Sequence, residues 1–151
     1  MKERRPILGT NVLIVACVLS LAVACSPDTR FPERTDCDIQ RGPCVRVAGS
    51  ATEITFDVTP RPVKAMADLL FTVMVRRNGK PASGADVALD LSMPGMHMGV
   101  NSPKLSPEKD GRYAGRGVIV RCPSGKRVWK AQVTVHSKQG TETASFLLEV
   151  I

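Results

Sequence analysis

From Val47 to the end of the chain, apolar and polar residues alternate with a period of two. That pattern is what a strand shows when one face is buried and the other is wet. "EITFDV" puts Ile54, Phe56 and Val58 on one face, and "LLFTVMV" does the same for Leu69, Phe71, Val73 and Val75. "ADVALDLSM" aligns Val87, Leu89, Leu91 and Met93, with Ala88, Asp90 and Ser92 opposite. "GRYAGRGVIV" follows the turn "EKDG", and "RVWKAQVTVH" aligns Trp129, Ala131, Val133 and Val135. "TETASFLLEV" closes the series with Ala144, Phe146, Leu148 and Val150. "PVKAMADLL" is the one stretch that competes as a helix, and it is short and begins at Pro62. Six or seven strands with one apolar face each must bury those faces against one another. The expectation is therefore an all-β, immunoglobulin-like β-sandwich of about seven strands, with a small closed barrel as the competing architecture.

The N-terminus carries a different kind of signal. "MKERRPILGTNVLIVACVLSLAVAC" opens on Lys2, Arg4 and Arg5, runs uncharged from Pro6 to Ala24, and ends in small residues before a cysteine. This is the layout of a secretory signal. "LAVAC" resembles the lipobox of bacterial lipoproteins, with Ala22 where leucine is commoner. The resemblance implies cleavage before Cys25 and lipidation of that cysteine, and a plain signal peptide or an uncleaved membrane anchor is the alternative. Two or more acyl chains suffice for stable anchoring. The expected organisation is a lipoprotein signal peptide over 1–24, a tether with a Cys37–Cys44 loop over 25–46, and the sandwich over 47–151. The expected location is outside the cytoplasm, on a membrane facing the periplasm or cell exterior.

Removing the first 24 of 151 residues leaves 127, enough for one domain with a real core. Three basic residues and one acidic residue leave with that segment, so the formal charge drops from +7 to +5. The remaining cations are spread in runs of at most two, without interleaved aromatics. Outside the cytoplasm that argues against nucleic acid and for a solvated surface facing anionic lipid.

Cysteine usage agrees with export. Cys37 and Cys44 flank "DIQRGP", whose Gly42-Pro43 can turn the chain back, and an oxidising compartment makes them the expected disulfide. Closing so short a loop removes about 2.5 kcal/mol of unfolded-state entropy in the simple model. Cys122 is left without a partner.

"SMPGMHMG", residues 92–99, gathers Met93, Met96, His97 and Met98 around a Pro-Gly turn. If the Val87–Met93 strand runs down, residues 100–105 return up and the strand after "EKDG" runs down again. Met93–Met98 and Cys122 then share one pole of the sandwich. Thioether, imidazole and thiolate form the soft donor set that selects Cu(I). Met96, His97 and Met98 are the first candidate ligands, with Met93 and Cys122 next. The same residues also read as packing: Met93 continues the inward register, Met96 and Met98 can cap the open end of the core, and Cys122 can be a small buried hydrophobe. Carboxylates are scattered on outward positions, His136 is out of register with the inward face, and no serine or threonine has a nucleophile's setting. These features point away from an enzyme.

A strand ending in "MPGM", a "DGRY" turn-and-strand, and a strand with a single Trp before alternating valines together resemble the YtkA-like family, across about residues 50–151. These are small exported bacterial β-domains, often lipoproteins, related to the FixH-like proteins. The resemblance implies an immunoglobulin-like sandwich and an association with copper handling and with respiratory oxidase or cation-pump assembly. The chain departs from the family in carrying Cys122-Pro123-Ser124-Gly125 where a methionine shortly before Gly and Trp is expected. Two functions stay open: a lipoprotein that binds or passes Cu(I), and a metal-free accessory module of a membrane complex.

Cys25→Ser should abolish metabolic labelling with fatty acid and leave a soluble or signal-retaining chain. Labelling that persists in the mutant removes the lipoprotein assignment.

Overall fold

Every inward position of the alternation is buried in the structure, a computed structural model that describes residues 34–96 and 99–151. Residues 1–33, which include the expected signal segment and Cys25, lie outside the described residues, as do His97 and Met98. Nine strands form in order: β1 (Cys44–Ala48), β2 (Thr52–Thr59), β3 (Leu69–Arg77), β4 (Lys80–Pro81), β5 (Asp86–Ser92), β6 (Ser106–Pro107), β7 (Arg112–Gly117), β8 (Val128–Ser137) and β9 (Gly140–Glu149). Two of these are only two residues long, so seven strands carry the sandwich, as the alternation implied. One antiparallel sheet has the order β1-β2-β3-β7-β6, with β4 also on β3, and the other has the order β5-β8-β9. The described residues form no helix.

The two inward faces meet around Trp129, Phe56, Phe71 and Phe146, all fully buried. Phe56 of the first sheet stacks on Phe146 of the second, with centroids 5.4 Å apart and planes at 28°. Offset stacking of this kind adds to area burial because it suits the ring quadrupoles. Register follows from the same alternation: Leu91 faces Ala131 and Leu89 faces Val133, and a one-residue slip would turn every one of these side chains to solvent.

The "DGRY" motif has a local physical account. Gly111 has φ +71°, and a Cβ there would lie 2.6 Å from the Val75 carbonyl oxygen. Only glycine fits that combination of left-handed backbone and close approach. Tyr113, 2% exposed, then sends its hydroxyl across to the loop before β5. It donates to the Ala82 carbonyl at 3.1 Å and accepts from the Ala85 N–H at 3.1 Å, which ties β7 to the turn that feeds the other sheet.

Two local expectations differ from the structure, the extent of the strand after "EKDG" and the residue at which the packed fold begins. The strand after "EKDG" ends at Gly117 rather than continuing to Val120, because Ile119 turns into the core and its carbonyl accepts the Met66 N–H at 2.8 Å. "PVKAMADLL" is a turn followed by the start of β3, since its backbone bonds are made to Ile119 and Ile151 and not within the segment. The packed fold also draws in residues before Val47. The Cys37–Cys44 disulfide is present, Cys37 bridges Leu148 in parallel, and Ile39 is fully buried. Gln40 fastens this loop by accepting from Val63 N–H at 2.8 Å and donating to the Glu149 carbonyl at 2.9 Å.

At the opposite end, Arg77 of β3 pairs with Glu142 of β9 across the sheets and donates from Nε to Thr52 Oγ1 at 3.0 Å. Thr52 is the one buried polar residue among those described, and this network satisfies it. The Thr52 hydroxyl first, and Arg77 second, hold the Glu142 carboxyl below its usual range against the opposing effect of burial. A depressed folded-state pKa contributes stability that is complete above the unfolded value, about 4.3, and is lost as pH falls through the lower folded value. Glu142→Gln should therefore flatten the acid limb of a stability-against-pH curve and cost about 1 kcal/mol at neutral pH. Chemical denaturation at pH 7 and in the acid range measures both. An unchanged acid limb would show that the pair does not link the sheets.

Candidate functional site at the sulfur pole

Two proline-led turns meet at one end of the sandwich. After β5 the chain makes the turn Met93-Pro94-Gly95-Met96, closed by Met96 N–H to the Met93 carbonyl at 3.1 Å. Proline at the second position presets φ, and Gly95 takes the positive φ (+74°) that the third position of this turn requires. The second turn, Cys122-Pro123-Ser124-Gly125, lies between β7 and β8 and closes with Gly125 N–H to the Cys122 carbonyl at 3.0 Å. β5 and β7 both end at this pole, so turns 26 residues apart become neighbours.

Their sulfurs are in contact. The Cys122 thiol points at Met96 Sδ, with 3.7 Å between the sulfurs. Cys122 Sγ also shares a 2.9 Å hydrogen bond with Ser124 Oγ. A thiol has one proton, so donation to Met96 leaves the Ser124 hydroxyl as donor to Sγ. A donor aimed at sulfur stabilises the thiolate. The Cys122 pKa is accordingly lowered from the usual thiol range, with the Ser124 hydroxyl as the main cause, backbone N–H groups of Ser124 and Lys126 and the Lys126 charge assisting, and burial opposing. Cys122 is nonetheless 4% exposed and is a free cysteine.

The other sequence candidates divide cleanly. Met93 is 3% exposed and belongs to the core, where its thioether closes the end of the Leu89–Leu91 row. Met96 is half-buried and packs against that core from the pole. His97 and Met98 follow Met96 directly but lie outside the described residues. His136 is exposed on β8 and hydrogen-bonds Thr141 across the strand pair. Among the described residues no three of His, Cys, Asp and Glu are grouped to hold a metal ion. Among the described residues the pair offers two sulfur donors, the kind that soft ions take. Ser124 was not singled out in the sequence. Its proximity to Cys122 in the chain was visible there, but the turn that aims its hydroxyl at sulfur was not.

These residues define a small two-sheet β-sandwich whose distinctive chemistry sits on turns at one pole. The family model described as YtkA-like matches residues 48–121, and this span of the chain is a YtkA-like domain. The match includes the "MPGM" and "DGRY" motifs and ends one residue before Cys122. No curated protein and no solved structure matches the chain.

Ser124→Ala should raise the Cys122 pKa towards the ordinary thiol value and slow its alkylation at neutral pH. Thiolate absorbance against pH measures the first and iodoacetamide trapping the second. A thiol that titrates identically in the mutant would assign the lowering to the loop backbone instead.

Proposed function

We propose that this domain binds Cu(I) at the sulfur pole and acts as a copper-binding or copper-passing lipoprotein of the cell envelope. The observation that carries the reading is the 3.7 Å approach of Cys122 Sγ to Met96 Sδ. Two sulfurs at that separation can both reach one ion, because twice a metal–sulfur bond of about 2.3 Å exceeds it. The donor set is one thioether and one thiol whose pKa is lowered by the Ser124 hydroxyl, a combination suited to Cu(I) and poor for Zn(II) or Ca²⁺. His97 and Met98, next in the chain after Met96, are the candidates to complete the ligand set. Binding replaces the Cys122 thiol proton with the ion, so one proton is released for each Cu(I) taken up and affinity falls as pH is lowered. Membership of a respiratory oxidase or cation-pump assembly system is the partner context this reading favours, with the N-terminal lipid as anchor.

The second reading, a metal-free accessory module, is favoured by the burial of Met93, which shows that at least one of the methionines is packing. One experiment separates the two. Replacing Met96 and Met98 by leucine preserves volume and apolarity, and such swaps cost under about 1.5 kcal/mol each. Competition titration with a Cu(I) chelator under reducing conditions should show wild-type binding and a loss of at least tenfold in the double mutant, with an unchanged circular dichroism spectrum. Absence of Cu(I) binding in the wild type, or affinity unaltered by the substitutions, makes the methionines packing and leaves the accessory module.

A further inference from the structure

The sulfur pole has a second property that does not depend on copper. Seven large apolar side chains are exposed among the described residues, and five of them are at this pole: Met66, Val100, Val118, Val120 and Ile151. The other two, Val45 and Val47, are on β1. Backbone bonds show that most of the pole is one surface. Met66 N–H donates to the Ile119 carbonyl at 2.8 Å, Ala65 N–H to Ile151 at 2.7 Å, and Val150 N–H to Arg127 at 3.0 Å. Leu91 N–H to Asn101 at 2.8 Å sets Val100, 94% exposed, beside the pole end of β5. Ile119 is fully buried, so Val118 and Val120 on either side of it present outward together. Met66 holds a φ of +63°, a left-handed backbone that costs a non-glycine residue stability and leaves its side chain 63% exposed.

The rim is cationic. Segments 63–68, 99–101, 118–127 and 149–151 carry Lys64, Arg121, Lys126 and Arg127 against Asp68 and Glu149, and Glu149 lies 3.9 Å from Arg127. We propose that this pole seats on an anionic membrane surface, with the aliphatic tips entering the headgroup–acyl boundary and the rim cations on lipid phosphates. A second copy of the chain is disfavoured, because the two rims would repel. The apolar side chains sit on separate loop tips, which a deformable lipid interface receives one by one. A folded partner would need a surface shaped to all of them. The entering chain also permits it. Asp36 and Cys37 run along Leu147 and Leu148, within a few residues of the pole, and the twelve residues from Cys25 to Cys37 span up to about 40 Å. Seated this way, the Met96–Cys122 pair faces the bilayer, and docking itself needs no ion.

The test uses the full-length chain in vesicles, free of metal and with chelator present, so that its failure and the failure of the copper reading are separate results. Val120→Trp and Val118→Trp each place a reporter on the pole, and Ser83→Trp places one on the exposed loop at the opposite end. The native Trp129 is buried and supplies a constant background. In phosphatidylglycerol vesicles with brominated acyl chains, the Val120 and Val118 reporters should blue-shift and lose at least half their emission, and the Ser83 reporter should not. Zwitterionic vesicles, 0.5 M salt, or the added pair Lys64→Glu and Lys126→Glu should largely abolish the effect. The anchor brings all variants to the vesicle alike, so equal quenching of the three reporters, or quenching of none, overturns the proposal. A blue shift at Val120 with soluble polyglutamate but not with vesicles would likewise overturn it, in favour of an acidic protein.

Discussion

Burying two apolar faces at once is the constraint from which the rest of this structure follows. Neither sheet can exist alone in water, since each presents an unbroken inner row: Leu69, Phe71, Val73 and Val75 on one, Trp129, Ala131, Val133 and Val135 on the other. Once the rows face each other around the Phe56–Phe146 stack, strand directions are set, and with them which turns share an end. Arg77, Glu142 and Thr52 pin one end by hydrogen bonds and charge. The other end is closed by methionine, cysteine and the disulfide loop.

The asymmetry between those ends has a physical meaning. A polar network such as that of Arg77 rigidifies and specifies alignment. The sulfur pole instead keeps thioethers and short aliphatic groups on turns, where they adapt to what they meet. It also holds the exposed Met66 in a left-handed conformation and a thiol shifted towards thiolate. Features that reduce stability or raise reactivity are thus gathered where the chain has its soft donors. The Cys37–Cys44 bridge and the Gln40 hydrogen bonds brace the same end from behind, through Val63 and Glu149.

The family motifs gain a structural reason here. In "MPGM" the proline and glycine make the turn, the first methionine fills the core and the second meets Cys122. In "DGRY" the glycine allows contact with Val75 and the tyrosine locks the sheet edge to the Ala82–Ala85 loop. One motif therefore builds the pole and the other holds the frame. The family span stops at residue 121, so the thiol that completes the sulfur pair belongs to the loop that follows it.

Period-two alternation made the strands, their inward residues and the two-layer architecture legible from the sequence, because burial of one strand face is written locally, residue by residue. The disulfide was legible for a similar reason, since its cysteines are seven residues apart. The inference that Met93–Met98 and Cys122 share a pole needed only strand directions, and for its described part the contact of Met96 with Cys122 agrees with it. Three things were decided by tertiary structure. Gln40 became a latch only because Val63 and Glu149 came to it from 23 and 109 residues away. Val118 and Val120 became a surface only because Ile119 was drawn inward by the core and by Met66. Met93 and Met96, three residues apart and chemically identical, took opposite roles because one falls on the buried register of β5 and the other falls past the turn. Local periodicity records which side of a strand is dry. Which loops meet depends on chain segments far apart in sequence, and their contact exists only after the sheets have packed.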